Sequence, residues 1–338
     1  MLEVGIVTNN PTPVLEVSDL SREFAVSKGP FSRGTRSLKA VQDLNFTVGK
    51  GETLAIVGES GCGKTTTTRM LLGLDKPTHG KVLVNGKDIF ALNRAGRKDF
   101  RSSVQAVFQD PWSSLNPRMR VRDIVAEPLI AKGKISRSEV DDRVERVLVD
   151  VGLRAEQARN FPHEFSGGQR QRIAIASALI CDPQLIVLDE PVSALDVSIR
   201  SQIMNLFKDI QEKYGVSYIL VAHDLATTRY LANNIAVMYL GRIVEQGPSE
   251  AVFGAPQHPY TRALFSAALP SHPDAVHDEI ELEGDLPSPL DPPSGCPFHP
   301  RCPEAKLEIC HLERPVLRES IPQVVAACHL LQGPAMGQ

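Results

Sequence analysis

A chain of 338 residues, 42% of them hydrophobic, is long enough for about two domains and a full apolar core. Its formal net charge of −3 argues against a surface that coats nucleic acid. No apolar run reaches the ~18 residues of a membrane span, and residues 1–13 carry neither a basic nor an apolar leader region, so the expectation is a cytoplasmic chain whose cysteines stay reduced.

In chain order, residues 14–57 alternate short apolar runs with charged turns, as an antiparallel β-layer does. Its last segment, Thr53-Leu54-Ala55-Ile56-Val57, is apolar and predicts a buried strand. Residues 58–65 then read Gly-Glu-Ser-Gly-Cys-Gly-Lys-Thr, a complete G-x-x-x-x-G-K-[ST] phosphate-binding loop, and residues 65–74 predict a helix with Met70, Leu71 and Leu74 facing inward. A glycine-rich turn alone needs no ligand. A strand before it and a helix after it make it a nucleotide site. Gly58, Glu59, Ser60, Gly61, Cys62, Gly63, Lys64, Thr65 and Thr66 are its expected residues. Lys64 supplies a cation to the β- and γ-phosphates, and the Thr65 hydroxyl is a ligand for Mg²⁺. Either Phe24 or Phe31 stacks on the base, the Gly/Ser/Arg-rich stretch 27–37 leaving the register open.

Residues 76–108 predict strands around an Asn85-Gly86 hairpin turn. Residues 120–165 predict helix, with Val140, Val144, Val147, Leu148 and Val151 on one face. Leu185-Ile186-Val187-Leu188 predicts a central strand ending in Asp189-Glu190. An acidic pair there is often only a solvated turn. Beside a phosphate loop it suits chemistry: Asp189 holds Mg²⁺ through water and Glu190 polarises the attacking water. Further strands are predicted at 217–222 and 235–239.

Phe165-Ser166-Gly167-Gly168-Gln169, leading into a helix predicted from near Arg170, resembles the signature of ATP-binding-cassette ATPases, and the phosphate loop precedes it as in that family. The resemblance implies an α/β P-loop NTPase fold: a RecA-like parallel-sheet core, an antiparallel β-layer and a helical subdomain. The cassette would span residues 14–250, with the helical subdomain at about 95–168. It also implies that Gln109 is the Q-loop residue reaching Mg²⁺ and water, that residues 191–196 form the D-loop, and that His223 is the switch histidine. Ser166, Gly167, Gly168 and Gln169 would complete the nucleotide site of a partner cassette. With one phosphate loop and one signature the chain is a single cassette, so two must close head to tail over two ATP molecules.

The segment Asp110-Pro111-Trp112-Ser113-Ser114-Leu115-Asn116-Pro117-Arg118-Met119 resembles the one that receives a membrane subunit in oligopeptide and dipeptide importer ATPases. So do Pro162-His163-Glu164-Phe165, Val237-Met238-Tyr239-Leu240-Gly241-Arg242, His258-Pro259-Tyr260-Thr261 and Gly284-Asp285-Leu286-Pro287-Ser288-Pro289. The likeness is to the dipeptide-type second ATPase and runs from about residue 14 to about 330. It implies two permease subunits bound through the loop around Trp112, a second ABC ATPase subunit, an extracytoplasmic solute-binding protein, no nucleic acid, and a peripheral place on the cytoplasmic face of the inner membrane. A soluble cassette acting on DNA or the ribosome is the competing class. The 65–166 span is too short for a long coiled-coil insertion, and there is no tandem cassette. Relatives of the same transporter type carry glutathione, nickel chelates or oligosaccharides.

From residue 251 to 338 prolines exclude long helices, and four of the six cysteines gather as Cys296, Cys302, Cys310 and Cys328. Cys62 and Cys181 fit as small cassette residues. Tetrahedral zinc, with His299, His311 and His329 as spare ligands, and unligated thiols are both compatible with the spacing, though no C-x2-C knuckle is present. The importer resemblance implies instead a [4Fe–4S] cluster on the four cysteines. Few large apolar residues and many prolines predict a compact lobe over 285–330 that a metal centre must hold together.

Overall fold

The computed structural model describes residues 13–27, 35–110, 115–133, 135–267, 280–305 and 308–331. Phe31 and Trp112 lie outside the described residues. Two sheets organise the chain. Strands β1 (Leu15–Ser27) and β2 (Thr35–Val48) pair antiparallel; the chain then crosses to the second sheet as β3 (Thr53–Val57) and returns as β4 (His79–Val84) and β5 (Lys87–Asp88). The first sheet has the order β2-β1-β4-β5. Asn85 and Gly86 both take positive φ, 49° and 73°, which matches the twist of the hairpin they close.

The second sheet adds β6 (Val104–Val107), β7 (Leu185–Asp189), β8 (Ser217–Val221), β9 (Asn234–Tyr239), β10 (Arg242–Pro248), β11 (Arg318–Ile321) and β12 (Val324–Ala326). Its order is β11-β12-β10-β9-β3-β8-β7-β6, parallel from β9 to β6 and antiparallel from β9 to β11. Every residue of β3 and β8 is buried, as expected of parallel strands covered on both faces. Helix α1 (Lys64–Leu71) follows β3 directly, so the phosphate loop sits at the carboxyl edge of the sheet, where β7 and β8 also end.

Helix α1 stops short of the expected residue 74. Gly73 turns the chain at φ +66°, and Leu74 is left 59% exposed, while Met70 and Leu71 are buried as predicted. Residues 94–103 form helix α2 (Arg94–Ser103), where strand was expected. Asn93 caps it, its side-chain oxygen accepting the Gly96 amide at 2.9 Å, and only Ser102 of this polar segment is buried. The helical region contains α3 (Val121–Lys132) and α4 (Arg137–Asp150), the latter burying Val140, Val144, Val147 and Leu148. Helix α5 (Gly167–Leu179) begins inside the signature, with Ser166 as its cap, three residues before Arg170. After β7 the chain forms α6 (Val197–Tyr214) and α7 (Leu225–Leu231). After β10 come α8 (Ser249–Gly254), α9 (Pro259–Ser266) and α10 (Ile309–Leu312).

The tail does not build a separate lobe with its own core. Its β11–β12 hairpin extends the main sheet, Glu245 facing Ala326 and Gln246 facing Val325. Phe298 is 1% exposed and packs its ring against Tyr239 of β9 and Tyr260 of α9. Phe298 and Val324 of the tail are therefore buried in the cassette's core, while Ile309, Leu312 and Leu330 stay exposed. Among the described residues no helix is long and apolar enough to cross a membrane.

Candidate functional site

The loop after β3 borders a cavity of about 410 Å³. Two glycines are needed for its shape. A Cβ on Gly63, at φ +113°, would stand 2.6 Å from the Ala40 carbonyl oxygen; one on Gly58, at φ +151°, would stand 2.3 Å from that of Met238. Ser60, Gly61, Gly63, Lys64, Thr65 and Thr66 all line the cavity. Cys62 turns inward and is fully buried, and burial pushes its thiol pKa up. Lys64 is also buried, its Nζ donating to the carbonyls of Gly58 at 2.6 Å and Glu59 at 3.0 Å. Charged phosphate oxygens are stronger acceptors for this ammonium than the neutral carbonyls that hold it.

The far wall comes from the ends of β7 and β8. Glu190 and His223 line the cavity, and His223 Nδ1 stands 3.1 Å from Glu190 Oε2. Glu190 takes φ +49°, a left-handed conformation unusual for a residue with a Cβ, and its amide donates to the Val221 carbonyl at 2.9 Å. That bond ties the end of β7 to the end of β8. Asp189, beside it, has its carboxyl pKa pushed up by burial and by the Glu190 charge, against the pull of Lys64. Thr65 and Glu190 share the cavity wall, a hydroxyl and a carboxylate of the kind that suits Mg²⁺, whereas Asp189 is not part of that wall. Phe24, of the two aromatic candidates, lines the same cavity, with the Arg22 guanidinium 4.5 Å over its ring.

The structure does not bring every expected residue here. Gln109 lies just beyond β6, exposed, and is absent from the cavity wall. Ser166, Gly168 and Gln169 line a different cavity, with Arg154 and Gln157. Ser166 Oγ accepts the Gln169 amide at 3.4 Å and Gln169 Oε1 accepts the Ser166 amide at 3.0 Å, a reciprocal cap that shapes the turn. Gly168 permits close packing, since a Cβ there would stand 2.5 Å from Ile199 of α6. The signature thus lines a cavity separate from that of its own phosphate loop.

Several contacts are not signalled by the sequence motifs. Pro289 lines the phosphate-loop cavity, the Tyr260 hydroxyl accepts the Glu59 amide at 2.9 Å, and Arg301 pairs with the Glu59 carboxylate. The motif His258-Pro259-Tyr260-Thr261 acquires physical content: His258 caps α9, Pro259 starts it, and Tyr260 reaches the phosphate loop. No pattern marks Arg301.

Cys296, Cys302, Cys310 and Cys328 line one cavity, together with His299 and His329. Burial pushes the Cys296 thiol up to about 11, with Cys328, Cys302 and Cys310 adding to it, and burial raises Cys302 and Cys328 as well. Among the described residues no three such groups stand close enough together to grip a metal ion. The donor set itself, four thiols around one space, has the composition of a Cys₄ site.

Comparison with known proteins places this geometry in a family. The ABC transporter family profile matches residues 41–193, and that of the oligopeptide/dipeptide transporter C-terminal region matches residues 244–310. The chain is 46% identical over 316 residues to the di/tripeptide transport ATP-binding protein DppF of Pseudomonas aeruginosa, covering 94% of this chain and 97% of that one. It is 45% identical over 324 residues to the oligopeptide transport ATP-binding protein AppF of Bacillus subtilis, covering 95% and 98%. Among solved structures it resembles the dimeric post-hydrolysis state of the ATP-binding cassette MJ0796 bound to ADP and Pi, with a TM-score of 0.61 and 29% identity over 70% of this chain and 98% of that one. The chain is an ATPase subunit, and it belongs to the ATP-binding proteins of ABC transporters, in the branch that carries the oligopeptide/dipeptide transporter C-terminal region.

Proposed function

We propose that this chain hydrolyses ATP to power peptide uptake through an ABC importer at the cytoplasmic face of the inner membrane, where it sits peripherally. The observation that carries the hydrolytic reading is the Glu190–His223 pair facing the phosphate loop across one cavity. The peptide substrate is supported by relatives named for di/tripeptide and oligopeptide transport.

In this reading the triphosphate rests on the amides of residues 58–66 and the N-terminus of α1, with Phe24 stacked on adenine. Lys64 turns from the Gly58 and Glu59 carbonyls to the β- and γ-phosphates. Thr65, Asp189 and Gln109 would hold Mg²⁺, which would neutralise charge on the phosphates. Gln109 reaches the site when the helical subdomain closes toward the core. Glu190 orients the attacking water and takes its proton, while His223 holds the Glu190 carboxylate in place. Ser166, Gly167, Gly168 and Gln169 serve the nucleotide of a partner cassette.

The cassette spans residues 14–250, with the helical subdomain at about 95–168, and the transporter-type extension begins at 251. The partners are two permease subunits docked through the loop around Trp112, a second ATPase, and an external solute-binding protein. Cys296, Cys302, Cys310 and Cys328 would hold a [4Fe–4S] cluster, supported by the shared cavity they line. Such a cluster would cross-link the extension through the thiolates; zinc is the alternative occupant. The Glu190→Gln variant tests the hydrolytic reading: it should bind ATP, accumulate closed dimers on size-exclusion chromatography and lose turnover by about 10²–10⁴-fold. Hydrolysis at the parent rate would remove Glu190 from its role.

A further inference from the structure

We propose that Arg301 is a positioning residue of the nucleotide site, fixing the phosphate loop through Glu59 and cancelling that carboxylate's charge beside the triphosphate. The inference rests on the reading of residues 58–66 as the ATP site. Arg301 Nη1 stands 3.1 Å from Glu59 Oε1 and 2.9 Å from Oε2, so one nitrogen straddles both carboxylate oxygens. The Arg301 side chain is 9% exposed and that of Glu59 is 29% exposed, so water screens this pair poorly. Glu59 is also held at its backbone, its amide donating to the Tyr260 hydroxyl at 2.9 Å. The extension therefore grips the second residue of the loop at both ends. It approaches the same loop twice more: Pro289 lines the nucleotide cavity, and Leu286 Cδ2 lies 3.7 Å from where a Cβ on Gly61 would sit.

Electrostatics gives the contact its consequence. Glu59 is not in the cavity wall, but it precedes Ser60, which is, and a carboxylate so near repels phosphates unless a cation neutralises it. Lys64 cannot serve both purposes, because its ammonium is the loop's cation for phosphate. Arg301 is a second positive charge, delivered from 242 residues away in the chain, that lies against the Glu59 carboxylate. Its backbone is anchored in the short turn between Cys296 and Cys302, next to Phe298 in the aromatic core.

A double-mutant cycle on the full-length chain tests this, with the dissociation constant for Mg-ATP read by titration calorimetry. Arg301→Ala should weaken binding by about tenfold in the parent background and by less than about threefold in the Glu59→Gln background, because the repulsion is then gone. Arg301→Lys should recover most of the parent affinity. A contact that only braces the loop would make Glu59→Gln alone weaken binding as much as Arg301→Ala does, whereas charge cancellation leaves Glu59→Gln at or above the parent affinity. Parent-like affinity in Arg301→Ala, or an equal loss in both backgrounds, overturns the proposal. If Arg301→Ala does not fold, Arg301→Gln, which keeps a donor but no charge, carries the same cycle with the same criterion. Lys64→Ala separates the two levels: if it too binds Mg-ATP as the parent does, the ATP-site reading itself fails.

Discussion

Nδ1 of His258 accepts the amide of Tyr260 at 3.0 Å in a place where His258 is only 2% exposed. The ring is thus an uncharged cap for α9, and its amide in turn donates to the buried Glu245 carboxylate at 2.8 Å. Burial, with the nearby Arg262 charge adding to it, pushes the imidazole pKa down to about 3. The unfolded chain takes up a proton near its ordinary pKa of about 6.5 while the folded chain does not. Stability should therefore be fully present above that pH and fall by up to about 1.4 kcal/mol per pH unit on acidification toward about 3. Glu245, whose carboxyl is pushed up by burial, works in the opposite direction. Thermal melts of the parent and of His258→Asn, which keeps a capping acceptor, isolate the histidine: the acid-side slope should flatten in the variant. Parallel slopes would show that His258 does not stay neutral.

Gly63→Ala should lose nucleotide binding and stability together. The new methyl meets the Ala40 carbonyl oxygen at 2.6 Å, and φ +113° is strained for any residue with a Cβ, a cost of roughly 1–3 kcal/mol. A calorimetric titration with Mg-ATP beside a thermal melt checks both. An alanine variant that binds and melts like the parent would mean that the loop is shaped differently.

The cysteine cavity predicts a metal content. Anaerobically purified full-length protein should be brown and hold about four irons per chain, and Cys296→Ser should abolish both the colour and the iron. Colourless protein with one zinc would replace the cluster by a zinc site. Protein with neither metal would leave four thiols, two of them buried, with a packing role only.

The nucleotide site is legible in the sequence because its parts are local. Residues 58–66 are contiguous, and Asp189, Glu190 and His223 each follow an apolar strand run, so topology alone brings them to one sheet edge. The polar helix at residues 94–103 is missed because it buries almost nothing, so no periodicity announces it; the cap at Asn93 is the one local mark. The tail is misjudged for a different reason. Weighing apolar residues within 285–330 alone implies a core too small to fold, whereas Phe298 and Val324 are buried in the cassette's core. The Glu59–Arg301 pair joins residues with no shared motif, and only the fold reveals it.

Coupling of ATP turnover on this chain to peptide movement across a membrane is tested by uptake in a reconstituted complex. A complex purified through a tag on this chain would be placed in proteoliposomes with its solute-binding protein, a labelled dipeptide outside the transporter and Mg-ATP on the cassette side. Two membrane subunits and a second ATPase should co-purify, peptide should accumulate only with hydrolysable ATP, and Glu190→Gln should stop uptake while ATP still binds. A chain that purifies without membrane subunits and hydrolyses ATP at full rate on nucleic acid or ribosomes would contradict that coupling.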